Sequence, residues 1–391
     1  MWLYLVLAIS SALALLHVAG IVWSKRRRAE RGPGSDWCPP ITILKPLCGV
    51  DDRLRGNLES FFQQCYPQFE LIFGVEGSSD PAIAVVEELR RAYPDVRARL
   101  VLHNGGRGLN PKVSNLCAML EAESHDLVVV SDSNVRVAPS YLREMSDAFV
   151  GELNVGLVTH LFYGTGERTV GATLENLQLN GWIAGNVAAS HLIPGETAVI
   201  GKSLMFRRSE LEPLGGLASL ANILAEDHVL GQMYRRAGYA IRLAPRAVAN
   251  VCAKTSLAAF GSRQLRWAVM RSRLVPMLYA LEWISYPLAI PLLAVALGEH
   301  AATIGVTLAW ALTISMLRDA AGWLTLRGPK GLLAALPLVP LKELAMLAVW
   351  LAAPLIRQVD WRGNQLYVSS GTRLFANHEL RMPRRKLWLV R

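Results

Sequence analysis

Four carboxylates and one basic-aromatic cluster sit where chemistry could be done. Asp132 directly follows the apolar run Leu127-Val128-Val129-Val130, in the segment Ser131-Asp132-Ser133-Asn134. A buried strand that ends in a carboxylate suits a hard cation such as Mg²⁺ or Mn²⁺ held against the diphosphate of an activated substrate. Taken alone, the same residue also reads as a turn or capping Asp ahead of Pro139. Asp227, in Ala225-Glu226-Asp227-His228, opens a helical stretch running to Arg236. It is a candidate general base for a hydroxyl group, or simply an acid favoured by the helix macrodipole. His228 reads equally as a ligand or as a satisfied core histidine. Glu76 and Asp80, in Val75-Glu76-Gly77-Ser78-Ser79-Asp80, could take a uracil or ribose; Asp80 could instead only cap the next helix. In Ser262-Arg263-Gln264-Leu265-Arg266-Trp267, Arg263 and Arg266 share a helix face at i, i+3. Two such guanidinium groups grip a diphosphate by charge-assisted bonds. The competing reading is an interfacial helix with snorkelling arginines, Trp267 as its anchor and Arg271 and Arg273 behind it.

The elements that must position these residues alternate. Ile41–Leu47, Phe69–Val75, Ala98–Leu102 and Leu127–Val130 read as strands. Between them Leu54–Cys65, Pro81–Ala92 and Pro111–Glu121 read as helices, with Pro111 suited to a first turn. Strands separated by helices imply a mostly parallel, Rossmann-like α/β sheet over residues 39–272. Ligands of such sheets bind beyond the carboxyl ends of the strands, where Glu76, Asp80 and Asp132 fall.

The rest of the chain points to a membrane. Of 391 residues 52% are hydrophobic and only 18% charged, too apolar a balance for an ordinary soluble domain. Trp2 to Trp23 is apolar apart from His17, and Lys25, Arg26, Arg27 and Arg28 follow it. The basic cluster after the apolar run marks residues 1–24 as an uncleaved anchor and 25–38 as a basic linker, with the domain in the cytosol. A second apolar zone covers 275–356. Leu278–Leu297 and Ala301–Leu317 read as two passes. Leu332–Ile356 holds Pro337, Pro340, Lys342, Glu343 and Pro354, and reads as a re-entrant segment, because charges at mid-bilayer are costly. That leaves the basic tail 357–391, with eight Lys/Arg against Asp360 and Glu379, on the cytosolic side. The five cysteines have no CxxC spacing, which argues against disulfides and a zinc site. Positive charge is not gathered into an aromatic-laced stripe, so nucleic acid is not an expected partner.

In order and spacing these pieces resemble the inverting glycosyltransferases of the GT-A fold that carry a D, D, D, (Q/R)xxRW set, here Asp80, Asp132, Asp227 and Arg263-x-x-Arg266-Trp267. Within that group the chain looks like the ceramide glucosyltransferase family (glycosyltransferase family 21). The supporting strings are Asp80-Pro81-Ala82-Ile83, Leu109-Asn110-Pro111-Lys112-Val113-Ser114-Asn115, Asp132-Ser133-Asn134-Val135-Arg136-Val137, Ala225-Glu226-Asp227 and Trp361-Arg362-Gly363-Asn364. The resemblance implies a GT-A domain with membrane helices on both sides, a UDP-sugar donor, a divalent metal and a lipid acceptor. It implies that Glu76, Asp80, Lys112, Asn115, Asp132, Arg263 and Arg266 bind the donor, with Asp132 also on the metal. Asp227 would then be the base and Trp267 would line the acceptor entrance. Asn134 stands where the wider superfamily has the second acid of a DxD. The compact, Ala- and Arg-rich chain looks closest to bacterial hopanoid-associated members, which implies N-acetylglucosamine transfer to bacteriohopanetetrol at a bacterial inner membrane. A ceramide glucosyltransferase is the alternative. Behind these stand a processive polysaccharide synthase, for which the membrane helices are few, and a non-enzymatic lipid-binding protein.

Overall fold

The computed structural model describes residues 2–29, 37–122, 125–149, 154–193, 198–361 and 363–376. Residues 30–36 of the basic linker, Arg362 and the tail beyond 376 lie outside them.

The first half of the domain lays down β1 (Ile41–Leu47), α2 (Leu54–Phe62), β2 (Phe69–Glu76), α3 (Ala82–Ala92), β3 (Ala98–His103), α4 (Pro111–Glu121) and β4 (Leu127–Ser131), after the N-terminal helix α1 (Trp2–Ala29). Each has a local cause. The strands are runs of Val, Ile, Leu and Phe, which suit a sheet buried on both faces. Helix α4 starts where Asn110 accepts from the Val113 N–H at 3.1 Å and Pro111 fills the first turn.

The second half supplies β5 (Val135–Arg136), α5 (Tyr141–Ala148), β6 (Val155–Thr159), β7 (Phe162–Thr165), α6 (Val170–Leu177) and a fully buried π-helical turn, Gln178–Ile183. There follow α7 (Ala184–Ser190), β8 (Ser203–Arg207), α8 (Arg208–Leu211), α9 (Glu226–Arg236), β9 (Ala240–Leu243), β10 (Val248–Val251) and α10 (Leu257–Leu274). The main sheet has the order β3-β2-β1-β4-β8-β6-β9, with β8 antiparallel to both neighbours and the other pairs parallel. This is the mostly parallel α/β architecture implied by the resemblance to GT-A enzymes. A second, small sheet has the order β5-β10-β7, with β5 following directly on the Asp132 turn.

Alternation along the strands fills two cores. Ile41, Ile43, Phe73, Val129 and Met205 face α2, α3 and α5. Leu44, Ile72, Val128, Val130 and Phe206 face α4 and α9. Each such side chain contributes about 1.5–3 kcal/mol on burial, so the strand ends that carry the polar residues are rigidly held.

Among the described residues three helical runs are long and apolar enough to cross a membrane: Trp2–Arg26, Ala301–Arg327 (α13) and Leu332–Leu355. Between α10 and α13, α11 (Pro276–Leu281) and the turn to Ser285 meet α12 (Ala289–Ala296) at 90°, so the pass read at 278–297 is broken in the middle. The run 332–355 contains α14 (Leu332–Ala335) and α15 (Val339–Ala352). Its charges are not exposed. Lys342 and Glu343 turn onto Arg318 and Asp319 of α13, with Lys342–Asp319 at 2.5 Å and Arg318–Glu343 at 2.6 Å, all four buried.

Both ends of this run are tied to the domain side. At its start, Trp323 donates to Lys330 O (3.1 Å), and the neighbouring Arg327 pairs with Glu167 at 2.8 Å. At its end, Arg273 of α10 donates to Pro354 O and Ile356 O. The tail then returns to the domain as β11 (Gln358–Trp361), β12 (Asn364–Val368) and β13 (Leu374–Phe375). Leu224 N–H donates to Thr372 O at 2.9 Å and Leu374 N–H to Asn222 O at 2.8 Å, which clamps the loop that leads into Glu226-Asp227.

Candidate active site

The carboxyl ends of β4 and α9's first turn meet around one ammonium group. β8 runs antiparallel beside β4, so its register sets Ser203 opposite Ser131 and brings Lys202 next to Asp132. Lys112, from the first turn of α4, approaches from the other side. Asp132 is thus held by two lysines, Lys112 on Oδ1 and Lys202 on Oδ2, each at 3.0 Å. Lys112 also pairs with Glu226 at 3.1 Å and donates to Gly201 O at 3.0 Å. Asp227 completes the group: its Oδ2 accepts from the Gly201 N–H at 2.6 Å and its Oδ1 from the His228 N–H at 2.8 Å. A Cβ at Gly201 would lie 2.7 Å from Lys112 Nζ and 3.2 Å from Asp227 Oδ2, so a side chain here would displace the lysine tip from the cluster.

The electrostatics follow from this packing. Burial pushes the Asp132 carboxyl up, but Lys112 and Lys202 outweigh it and hold the group well below the usual carboxylate range. Burial opposes the charge on Lys112, yet Asp132, Glu226 and Asp227 raise it above the ordinary lysine value. Glu226 is raised by burial and by Asp227, against the pull of Lys112. The site therefore holds fixed cations, an ionised Asp132, and a neighbouring carboxyl biased toward its protonated form. Lys45 supports the Asp132 turn from the opposite sheet face. Its Nζ donates to Asp132 O at 2.5 Å, sits 3.8 Å from the Phe61 ring centroid, and is pushed by burial well below the lysine range.

The remaining predicted residues are distributed around this centre. Asp80 accepts from Ala82 N–H at 2.8 Å, which caps α3, and from Gly49 N–H at 2.7 Å, which fixes the loop after β1. That loop reaches Ser133 through Asp51, while Asp52 accepts from Ala253 and Lys254 N–H at 2.7 Å each. Asp80 thus shapes the rim as well as the helix. Glu76 is exposed at the end of β2, opposite His103 of β3 and over Gly105. Asn115 is buried and donates to Gly74 O (2.8 Å) and Leu47 O (3.3 Å), so it ties β1 to β2 beneath the rim.

On α10, Arg263 bonds the fully buried Glu175 at 3.1 Å and reaches Cys252 Sγ at 3.7 Å; burial raises the Cys252 thiol while Lys202 and Arg263 pull it back. Val251, next to Cys252, donates its N–H to Asn134 O at 2.8 Å, and Asn134 Oδ1 accepts from Lys202 at 3.1 Å, so Arg263 lies on the Lys202 side of the site. Arg266 points elsewhere, to Asp360 O at 3.3 Å and over Trp361. Trp267 is half-buried against the first core. His228 bonds Gln232 at 2.8 Å, a satisfied side chain one turn apart on α9. Lys45, Lys202, Glu226 and Glu175 carried no assigned role in the sequence. A lysine inside the apolar strand Ile41-Thr42-Ile43-Leu44-Lys45 was the one local signal available.

Among the described residues no group of three or more His, Cys, Asp or Glu is placed to hold a metal by itself. Asp132 offers one ionised carboxylate, and each of its oxygens keeps a lone pair beyond its lysine contact. Such a hard-oxygen donor fits a divalent cation whose other ligands come from a bound diphosphate and water.

The profile of "Glycosyl transferase family 21" matches residues 3–374. Ceramide glucosyltransferase 3 of Caenorhabditis elegans is 27% identical over 270 residues, 69% of this chain and 59% of its own length. A ceramide glucosyltransferase of Komagataella phaffii is 33% identical over 247 residues, 52% of this chain and 47% of its own. The chain thus spans roughly half of the curated relatives it matches. Among solved structures, a mannosyltransferase from Pyrobaculum calidifontis in complex with GDP-Man and Mn2+ aligns over 90% of this chain and 98% of that one, with 18% identity and a TM-score of 0.47.

Proposed function

Because the chain belongs to glycosyl transferase family 21, we propose that it is a membrane-bound inverting glycosyltransferase that moves glucose from UDP-glucose to ceramide. The observation that carries the transferase reading is the clustering of Asp132, Lys112, Lys202 and Asp227 at the carboxyl end of the sheet. Ceramide glucosyltransferases among the relatives favour this donor and acceptor over N-acetylglucosamine and a hopanoid.

The residues divide the work. Lys112 and Lys202 face the diphosphate as fixed cations, with Arg263 beside them. A Mg²⁺ or Mn²⁺ bound at Asp132 would neutralise charge on the departing UDP. Asp227 takes the proton of the acceptor hydroxyl as its oxygen bonds to the anomeric carbon. The bond from that carbon to UDP breaks, UDP keeps the electron pair, and the α-linked donor becomes a β-glycoside.

The same reading fixes an orientation. Arg327 is bonded to the domain, and α13 is 27 residues long, about 40 Å at 1.5 Å per residue. Ala301 then lies on the far side, so the broken segment 276–300 crosses. The run 332–355 begins and ends on the domain side and is re-entrant. With α1 this makes three crossings, and both the domain and the tail face the cytosol, where UDP-sugars are available.

The test offers purified protein UDP-glucose and UDP-N-acetylglucosamine with Mn²⁺, ceramide and bacteriohopanetetrol together, and reads products by mass spectrometry. Glucosylceramide is expected. A hexosamine-bearing hopanoid would transfer the assignment to that lipid, and no product of either kind would refute both acceptors.

A further inference from the structure

An opening lies on the other side of β8 from the Asp132 cluster. A cavity of about 370 Å³ is bounded by the domain-facing ends of α1 (Ser24, Lys25) and α13 (Thr325, Leu326). Alternation along β8 separates it from the site above. Lys202 faces Asp132, whereas Ser203 turns to Tyr141 (2.7 Å) and to His160 Nδ1 (2.9 Å), both of which line the cavity.

Its charge is unbalanced. Among the described residues, Lys25, Arg136 and Arg246 line it against a single carboxylate, Glu144, which pairs with Arg246 at 2.8 Å and accepts from Ser140 at 2.8 Å. Arg136 gives one nitrogen to Asn57 Oδ1 at 3.1 Å, while among the described residues its buried Nε has no hydrogen-bond partner. Buried donors are ordinarily satisfied, so an orphaned guanidinium N–H beside a cavity calls for an acceptor. Leu161, Val248 and Leu326 supply an apolar wall next to these cations. A cationic mouth, an apolar wall and a place at the ends of two membrane helices together match one kind of molecule, an amphiphile with an anionic head.

We propose that this cavity binds the phosphodiester headgroup of an anionic membrane phospholipid, with Arg136 and Arg246 on the phosphate. The inference uses the orientation given above only to place the cavity at headgroup depth. Because its readout is lipid binding rather than sugar transfer, its failure would leave the transferase reading standing.

The experiment titrates delipidated full-length protein with short-chain phosphatidylglycerol, phosphatidylcholine or inorganic phosphate, and counts bound molecules by native mass spectrometry. One phosphatidylglycerol should bind at least ten times more tightly than phosphatidylcholine, and phosphate at the same concentration should not displace it. Arg136→Gln combined with Arg246→Gln should remove that preference, and Lys25→Gln, at an exposed position that does not threaten folding, should weaken it. Equal binding of the two lipids would overturn the proposal, as would full retention of the preference in both variants. Displacement by free phosphate would assign the cavity to a soluble anion instead.

Discussion

Lys202→Met probes the lysine pair most cleanly. Lys202 lies 3.0 Å from Asp132 Oδ2 and 3.1 Å from Asn134 Oδ1, and its side chain is 16% exposed. Losing it leaves Asp132 paired with Lys112 at 3.0 Å, so no buried carboxylate is stranded and the fold should survive. What disappears is one charge-assisted bond to the diphosphate. Such a bond contributes about 1.5–3 kcal/mol, or roughly a 10- to 150-fold change in dissociation constant. Calorimetric titration of detergent-purified protein with UDP should show that loss, alongside a nearly unchanged thermal midpoint. Lys202→Arg should recover part of it, since the charge is kept while the geometry changes. Unchanged UDP affinity in Lys202→Met would refute the claim that this lysine faces the leaving group.

Two further perturbations test the surroundings. Asp319→Leu leaves Lys342 buried beside Glu343 without its 2.5 Å partner, at a cost of about 3–5 kcal/mol; the thermal midpoint should fall clearly, and adding Lys342→Leu should restore most of it. No recovery in the double variant would mean the cluster is not a set of paired charges. Burial holds the His160 imidazole down at about 3, whereas the unfolded chain takes up a proton near 6.5. Stability should therefore fall as pH drops below 6.5, by about 1.4 kcal/mol per pH unit down to the folded value. His160→Gln should flatten the melting profile between pH 6.5 and 4, and parallel profiles would refute this.

The strands and the acids at their ends were legible because local composition encodes them. The Val-rich run before Asp132 and Pro111 at the first turn of its helix each mark an element boundary without outside help. Lys202 was not legible, since its place depends on β8 inserting antiparallel between β4 and β6, and nothing local specifies that neighbour. For Lys342 and Glu343 the sequence shows only the expense of charge in an apolar segment; the matching Arg318 and Asp319 lie more than twenty positions earlier and become partners only in the packed helices. Arg266 shows the reverse case. Its spacing from Arg263 suggested a shared grip on phosphate, but the returning tail offers it Asp360 O and the face of Trp361.

The most direct test of the proposed chemistry is single-turnover sugar transfer by Asp227→Asn compared with Glu226→Gln, each with donor binding measured in parallel. If Asp227 removes the acceptor proton, Asp227→Asn loses about 10²- to 10⁴-fold in rate with donor affinity near normal, and Glu226→Gln loses much less. Near-normal transfer by Asp227→Asn, with the loss falling on Glu226→Gln instead, would contradict the assignment and move the base one residue back along α9.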